Sequence, residues 1–293
     1  MITTAETAQR RRIVGRREEL AALADALTRL GAGRSSTLAI NGEPGIGKTR
    51  LLDELQDRAD AAGHLVLSGR AAELERELPF GVWVDAVADY AASLGADRLE
   101  RLVGEHAGEL APVVPGLAGL EAPAGGRLQD ERYRTHWAVR ALLESLGSRR
   151  PVVVALDDLH WADDASLELI AHLLRRPPRR GVLVALAFRP APARPALVTA
   201  LAAAERESAV VELRLGELSP AEADALLGED VPAPARQALY AQGGGNPFFL
   251  QELARGGGVV ADGPAAPRDG EVPRAVAVAL AQEVAALTEP ARC

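Results

Sequence analysis

The sequence predicts an α/β fold: a parallel five-stranded core sheet flanked by helices, followed by a small helical domain. Three observations carry this expectation. Short apolar runs alternate with helical stretches over the first two thirds of the 293 residues, the strand–helix–strand rhythm of a parallel sheet. Two runs, "PVVVALDD" (Pro151–Asp158) and "GVLVALAFR" (Gly181–Arg189), are apolar almost without alternation, as strands covered on both faces are. After Gly216 such runs stop and only helical segments follow.

The elements follow in order. Residues 1–12 read as a polar, flexible lead. "EELAALADALTRL" (Glu18–Leu30) has apolar residues at helical spacing, and Gly31 and Gly33 end it. "STLAIN" (Ser36–Asn41) is a strand entering a Gly-rich turn, "KTRLLDELQDRADAA" (Lys48–Ala62) a helix, and "HLVLSG" (His64–Gly69) the second strand. Residues 79–109 read as helical, 111–130 as an irregular Pro/Gly crossing, and Glu131–Leu146 as a helix. The strands Pro151–Asp158, Gly181–Arg189 and Ala209–Gly216 follow, with helices near 166–175 and 193–205. The expected domains are therefore an α/β core over 13–216 and a helical lid over 217–293. Within the lid, 256–271 reads as a loop and "VPRAVAVALAQEVAAL" as a helix.

Composition narrows the function. Hydrophobic residues make up 48% and charged residues 25%, ordinary for a globular protein. The net charge of −8 argues against direct nucleic-acid binding by this chain, since phosphate neutralisation needs a positive face. Cys293 is the one cysteine, so no disulfide framework or cysteine metal site can form within the chain, and a reducing cytoplasm fits. The N-terminal "MITTAETAQRRRIVGRREEL" has no apolar signal core, and no apolar run approaches the length of a membrane span. The expected location is cytoplasmic, with no membrane.

One lysine stands among 33 basic residues, and it is Lys48. It lies in "GEPGIGKT", which fits G-x-x-x-x-G-K-[ST] in full with Gly42, Glu43, Pro44, Gly45, Ile46, Gly47, Lys48 and Thr49; Arg50 follows on the first helical turn. In this pattern glycines let backbone N–H groups turn inward around phosphate oxygens, and the helix start points its positive end at the same anion. Lys48 should reach the β- and γ-phosphates of ATP, and the Thr49 hydroxyl should ligate Mg2+. A slim ammonium fits a tight anion nest better than the wide arginine fork. The fold expected is thus a P-loop NTPase.

A Mg2+–triphosphate site also needs a carboxylate at the end of a neighbouring strand, which Asp157 supplies. Asp158 should orient or deprotonate the attacking water. His160 and Trp161 follow at the carboxyl edge of the sheet, where ligands bind in such folds. Two readings stay open for them, sensing of the γ-phosphate or a partner, and plain packing and capping. Asp163 and Asp164 read as caps of the next helix. Arg189, ending the fourth apolar strand, falls at a γ-phosphate sensor position.

Together "IVGRREELAAL", "GEPGIGKTRLL", "VVVALDDLHWADDASLELI", "LAFRP", "GGGNPFFLQEL" and "VPRAVAVAL" resemble, in this order, the signal-transduction ATPases with numerous domains (STAND), AAA-type P-loop ATPases. They are most similar to the N-terminal ATPase module of large LuxR-family transcriptional regulators of actinobacteria. The resemblance implies that Val14 and Arg16 lie near the adenine, that Pro247 packs against the base with Asn246 beside it, and that ATP or ADP with Mg2+ is bound. Read from the residues alone, Gly243–Pro247 is a loop with a Pro-started helix, and Phe248 and Phe249 belong to the lid core. Regulators of this type continue into a helical repeat region and a helix-turn-helix, whereas this chain stops at "LTEPARC", the expectation for a fragment or an excised module.

Three functions compete at this stage. The first is a slowly hydrolysing nucleotide switch in a larger, transcriptional regulator. Its expected partners are nucleotide, other domains or subunits of that regulator, and a nucleotide-dependent oligomer. The second is a stand-alone P-loop enzyme such as a small-molecule kinase, for which no segment marks an acceptor pocket. The third is a degenerate module that only binds. A GTPase ranks below the stand-alone enzyme, because no Asn-Lys-x-Asp guanine reader can exist in a chain whose only lysine is Lys48.

Overall fold

The computed structural model describes residues 13–117, 128–190, 195–206 and 210–255. The polar lead, the 256–271 loop, the C-terminal helix and part of the Pro/Gly crossing lie outside the described residues. The chain divides into two compact units. Of the described residues, those within 17–43 and 48–215 form the α/β unit; 13–16, 44–47 and 216–255 form the helical unit.

The α/β unit runs α1 (Arg17–Gly31), β1 (Ser36–Gly42), α2 (Lys48–Ala61), β2 (Leu65–Arg70), α3 (Gly81–Leu94), α4 (Ala96–Val103) and α5 (Ala107–Leu110). It continues with α6 (Leu128–Arg149), β3 (Val152–Asp157), α7 (Asp164–Arg175), β4 (Val182–Phe188), α8 (Pro195–Arg206) and β5 (Val210–Leu215). The five strands form one parallel sheet in the order β2-β3-β4-β1-β5. Every residue of β3 and of β4 is buried, as their apolar runs require, whereas the edge strand β5 mixes buried and open positions. Because β3, β4 and β1 are adjacent, their carboxyl ends bring Asp157, Arg189 and the Gly42 loop to one edge of the sheet, the edge at which such folds hold ligands.

The helical stretch expected over 79–109 is three helices. The breaks fall at Gly95 (φ 72°) and Gly104 (φ 55°), left-handed turns that a continuous helix cannot contain. Asp163 caps α7 as expected, accepting from the Ser166 amide at 2.8 Å. Its buried carboxylate also accepts from the Phe80 and Gly81 amides, each at 3.0 Å, and so ties the start of α3 to the start of α7.

The helical unit contains α9 (Pro220–Leu227), α10 (Ala233–Gly243) and α11 (Pro247–Arg255) around Ala223, Leu239, Leu250 and Leu253. Ser219 and Glu222 form a capping box at the start of α9, with Pro220 at its first turn. No helix of the described residues is long and apolar enough to cross a membrane.

His136 of α6 and His172 of α7 face each other with ring centroids 5.5 Å apart, and Nε2 of each lacks a hydrogen-bond partner among the described residues. Burial lowers both pKa values from 6.5 to about 4. Arg132 and Arg175 add to the shift at His136, and the neighbouring imidazole and Arg176 add to it at His172. An unfolded histidine takes a proton below pH 6.5 that the folded one refuses. The stability these residues contribute is therefore present above 6.5 and lost as pH falls towards 4. Urea unfolding at pH 5.0 should show about 2 kcal/mol less stability per histidine than at pH 7.5. His136→Phe, which keeps the ring, should recover part of that loss; equal pH sensitivity in the variant would contradict the assignment.

Candidate functional site

β1 ends at Gly42, and the chain turns through Glu43–Gly47 before α2 begins at Lys48. Gly45 and Gly47 stand at φ 73° and 105°, a left-handed backbone that lets the turn close on itself. Lys48 is buried, and its Nζ donates to the carbonyls of Gly42 and Glu43, each at 2.9 Å. Burial lowers its pKa and the charge of Arg189 lowers it further, while Asp158, Asp157 and Glu43 pull the other way. Arg189, half-buried just past β4, thus bears electrostatically on the same ammonium. Arg50 is half-buried on the first turn of α2.

Thr49 Oγ1 donates to Asp157 Oδ2 at 2.7 Å, and Asp157 Oδ1 accepts from the Asp158 amide at 2.8 Å. Asp157 is 4% exposed. Burial raises its pKa and the Asp158 charge adds to this, against the bonds from Thr49 and the Asp158 amide and the charge of Arg70. A hydroxyl and a buried carboxylate side by side form a hard-oxygen pair of the kind that suits Mg2+, which takes one or two protein ligands and completes its shell from phosphate and water. The residues present fit the metal.

Asp158 adopts a left-handed conformation, φ 52°. Its Oδ2 is taken by Arg70, whose Nε donates at 2.8 Å and whose Nη2 lies at 2.7 Å. The bond to Asp158 raises the Arg70 pKa. Sequence reasoning missed Arg70. The signal was its place as the last residue of β2, in register with Asp157 on β3. The capping reading fails for His160, because neither of its ring nitrogens makes a hydrogen bond among the described residues. Trp161 does pack, 5.0 Å from the His160 ring and beneath the Arg76 guanidinium at 4.1 Å.

Pro44–Gly47, the apex of the loop, belongs to the helical unit, and that unit holds its carbonyls. Asn246 Nδ2 donates to Pro44 O at 2.9 Å, the Phe248 amide to Gly45 O at 3.3 Å, and Arg16 to Ile46 O at 3.2 Å and to Gly216 O at 2.5 Å. Pro247 opens α11, and Val14 is half-buried beside Gly15, which stands at φ 70°. The reading of Phe248 as lid core is corrected: it is 43% exposed and its β-carbon crowds Gly45, while Leu250 and Leu253 fill the core. One turn of α11 can bury only one face, and Phe248 and Leu250 point to different ones.

A cleft of about 480 Å³ lies beside β1, β5 and α8, lined by Asn41, Glu43, Phe188, Val198 and Glu212 among others. Its Glu212 carboxylate is held by Asn41 and Arg214.

Residues 12–185, more than half of the chain, match the family described as AAA ATPase domain. A curated relative, uncharacterised protein R02095 of Rhizobium meliloti (strain 1021), is 28% identical over 273 residues, covering 83% of this chain. The chain spans 25% of that relative's length. Among solved structures, the ORC2 protein of Aeropyrum pernix, in ADPNP-ADP complexes, has a TM-score of 0.49 at 18% identity, covering 94% of this chain and 69% of that one. The STAND protein PH0952 of Pyrococcus horikoshii, with a tetratricopeptide repeat sensor, has a TM-score of 0.45 at 17% identity, covering 94% of this chain and 33% of that one.

A β-carbon at Gly45 would lie 2.6 Å from that of Phe248, in a backbone conformation L-residues avoid. Gly45→Ala should therefore lose about 2 kcal/mol of stability. Calorimetry of the variant is the check, and an unshifted melting temperature would show that the loop and α11 are not packed as described.

Proposed function

The chain belongs to the AAA ATPase domain family, and on that premise we propose that it is a slowly hydrolysing, ATP-dependent switch within a larger regulator. As a P-loop ATPase module it binds nucleotide through the Gly42–Thr49 loop. In the proposed arrangement Lys48 meets the β- and γ-phosphates, and Thr49 and Asp157 hold Mg2+. Asp158 acts as base, Arg189 senses the γ-phosphate, and Val14, Arg16 and Pro247 border the adenine. Mg2+ held there supplies neutralisation of the developing phosphate charge. Lys48, already partly desolvated, exchanges its two carbonyl partners for phosphate oxygens.

The observation that carries the switch reading is the grip of Asn246 and Phe248 on the carbonyls of Pro44 and Gly45. A peptide plane whose N–H turns towards phosphate carries its carbonyl with it, so a change of phosphate occupancy strains or relaxes those bonds. Attached domains would read that difference. The regulator is proposed to be cytoplasmic, of the LuxR type by motif resemblance, with other domains or subunits as partners and a nucleotide-dependent oligomer as one state. The share of the rhizobial relative's length that the chain spans agrees with a module of something larger.

Lys48→Ala should abolish ATP binding in a fluorescent-nucleotide titration; unchanged affinity would remove the site assignment. Asp158→Asn should bind ATP normally while turnover falls by about two orders of magnitude. Basal turnover of the unaltered chain should be no faster than about one per minute, and a steady-state rate far above that without any partner would rule out a switch.

A further inference from the structure

Asp158 has two carboxylate oxygens, and Arg70 occupies one of them. Oδ2 receives the Arg70 guanidinium. Oδ1 lies 4.0 Å from Nδ1 of His160. That separation is too long for a direct hydrogen bond, and it is a span that a single water bonded to both groups can bridge.

His160 is 6% exposed, and both of its ring nitrogens lack a hydrogen-bond partner among the described residues. A buried imidazole with two orphaned nitrogens is costly unless a ligand or water satisfies it. The ring is also held in place. It packs on Trp161, which is capped in turn by Arg76, and it follows Asp158 in a tight turn whose Trp161 amide bonds the Asp158 carbonyl at 2.8 Å. The charges that face it are Asp158, Arg189, Lys48 and Arg76. Burial first, and Arg189 next, keep the imidazole neutral by lowering its pKa to about 4, so at neutral pH it can accept a hydrogen bond.

We propose that His160 is a second catalytic residue for ATP hydrolysis, holding the attacking water jointly with the free oxygen of Asp158. The inference rests on the assignment of Asp158 as base. The water gives one hydrogen bond to Asp158 Oδ1 and the other to His160 Nδ1, with the imidazole proton on Nε2. Both O–H bonds are then committed, and an oxygen lone pair is left to attack. That oxygen bonds to the γ-phosphorus, and the bond from phosphorus to the β–γ bridging oxygen breaks, its electron pair leaving with ADP. The water's proton passes to Asp158 Oδ1, and His160 exchanges none.

His160→Phe keeps the ring and its contact with Trp161 but removes both nitrogens. It should bind ATP within about twofold of the unaltered chain while kcat falls about 30-fold. His160→Asn places an amide group where Nδ1 stood and should recover most of the rate, whereas His160→Gln, which reaches only to the Nε2 position, should not. Independently of turnover, nitrogen NMR of histidine-labelled protein should show the His160 Nδ1 resonance shift on adding a nonhydrolysable ATP analogue. The proposal is overturned if the Phe variant turns over normally, if its affinity falls as far as its kcat, or if the Nδ1 resonance does not move. Asp158→Asn measured alongside separates the two assignments. Slow Asp158→Asn with normal His160→Phe removes the histidine alone, and normal Asp158→Asn removes the base and this proposal with it.

Discussion

A desolvated ammonium is the constraint around which the α/β unit is arranged. Lys48 is buried near a second cation, Arg189, and a charge so placed persists only if carboxylates and carbonyls compensate it. Asp157, Asp158 and Glu43 supply the negative charge, and the carbonyls of Gly42 and Glu43 accept the ammonium protons. These groups come from the ends of β1 and β3, with Arg189 just past β4, so the strand order that neighbours β3, β4 and β1 is what makes the balance available. Burial raises the Asp157 pKa, and repulsion from the consecutive carboxylate of Asp158 raises it further. Thr49 donates to Asp157 and Arg70 to Asp158, and both lower the cost of holding the pair charged. The same arrangement, a buried cation opposed by carboxylates beside a hydroxyl, is what a metal–triphosphate needs.

The middle of the phosphate loop obeys a second constraint. Backbone that turns its N–H groups towards an anion must place its carbonyls elsewhere, and those carbonyls need donors. Within the helical unit Asn246, the Phe248 amide and Arg16 are those donors. Asn246 also accepts from the Phe248 amide at 3.0 Å, so one buried side chain both starts α11 and holds Pro44. Gly45 is glycine for two reasons at once, its left-handed φ and the Phe248 β-carbon against it. The loop's shape and the start of α11 are in this way one structure.

Much of this was legible in the sequence because it is local. Strand identity followed from apolar runs, and the loop from glycine spacing next to Lys48. Residues brought together by the sheet were less visible. Arg70 closes an ordinary-looking strand and acquires its partner only through the β2–β3 register. The breaks of the 79–109 helical region at Gly95 and Gly104 are not legible in the sequence, because glycine within an apolar-periodic stretch is tolerated in some helices and terminates others. The sequence places Phe248 in the lid core, yet the packing of α11 is decided by Leu250 and Leu253, which lie on its buried face.

In the proposed switch, phosphate occupancy reaches α11 through the loop carbonyls. Hydrogen exchange at the Phe248 amide, whose acceptors are Gly45 O and Asn246 Oδ1, tests it most directly. With saturating ADP and with a saturating nonhydrolysable ATP analogue, the exchange rates should differ by about tenfold or more. Equal protection of Phe248 in the two complexes would contradict it.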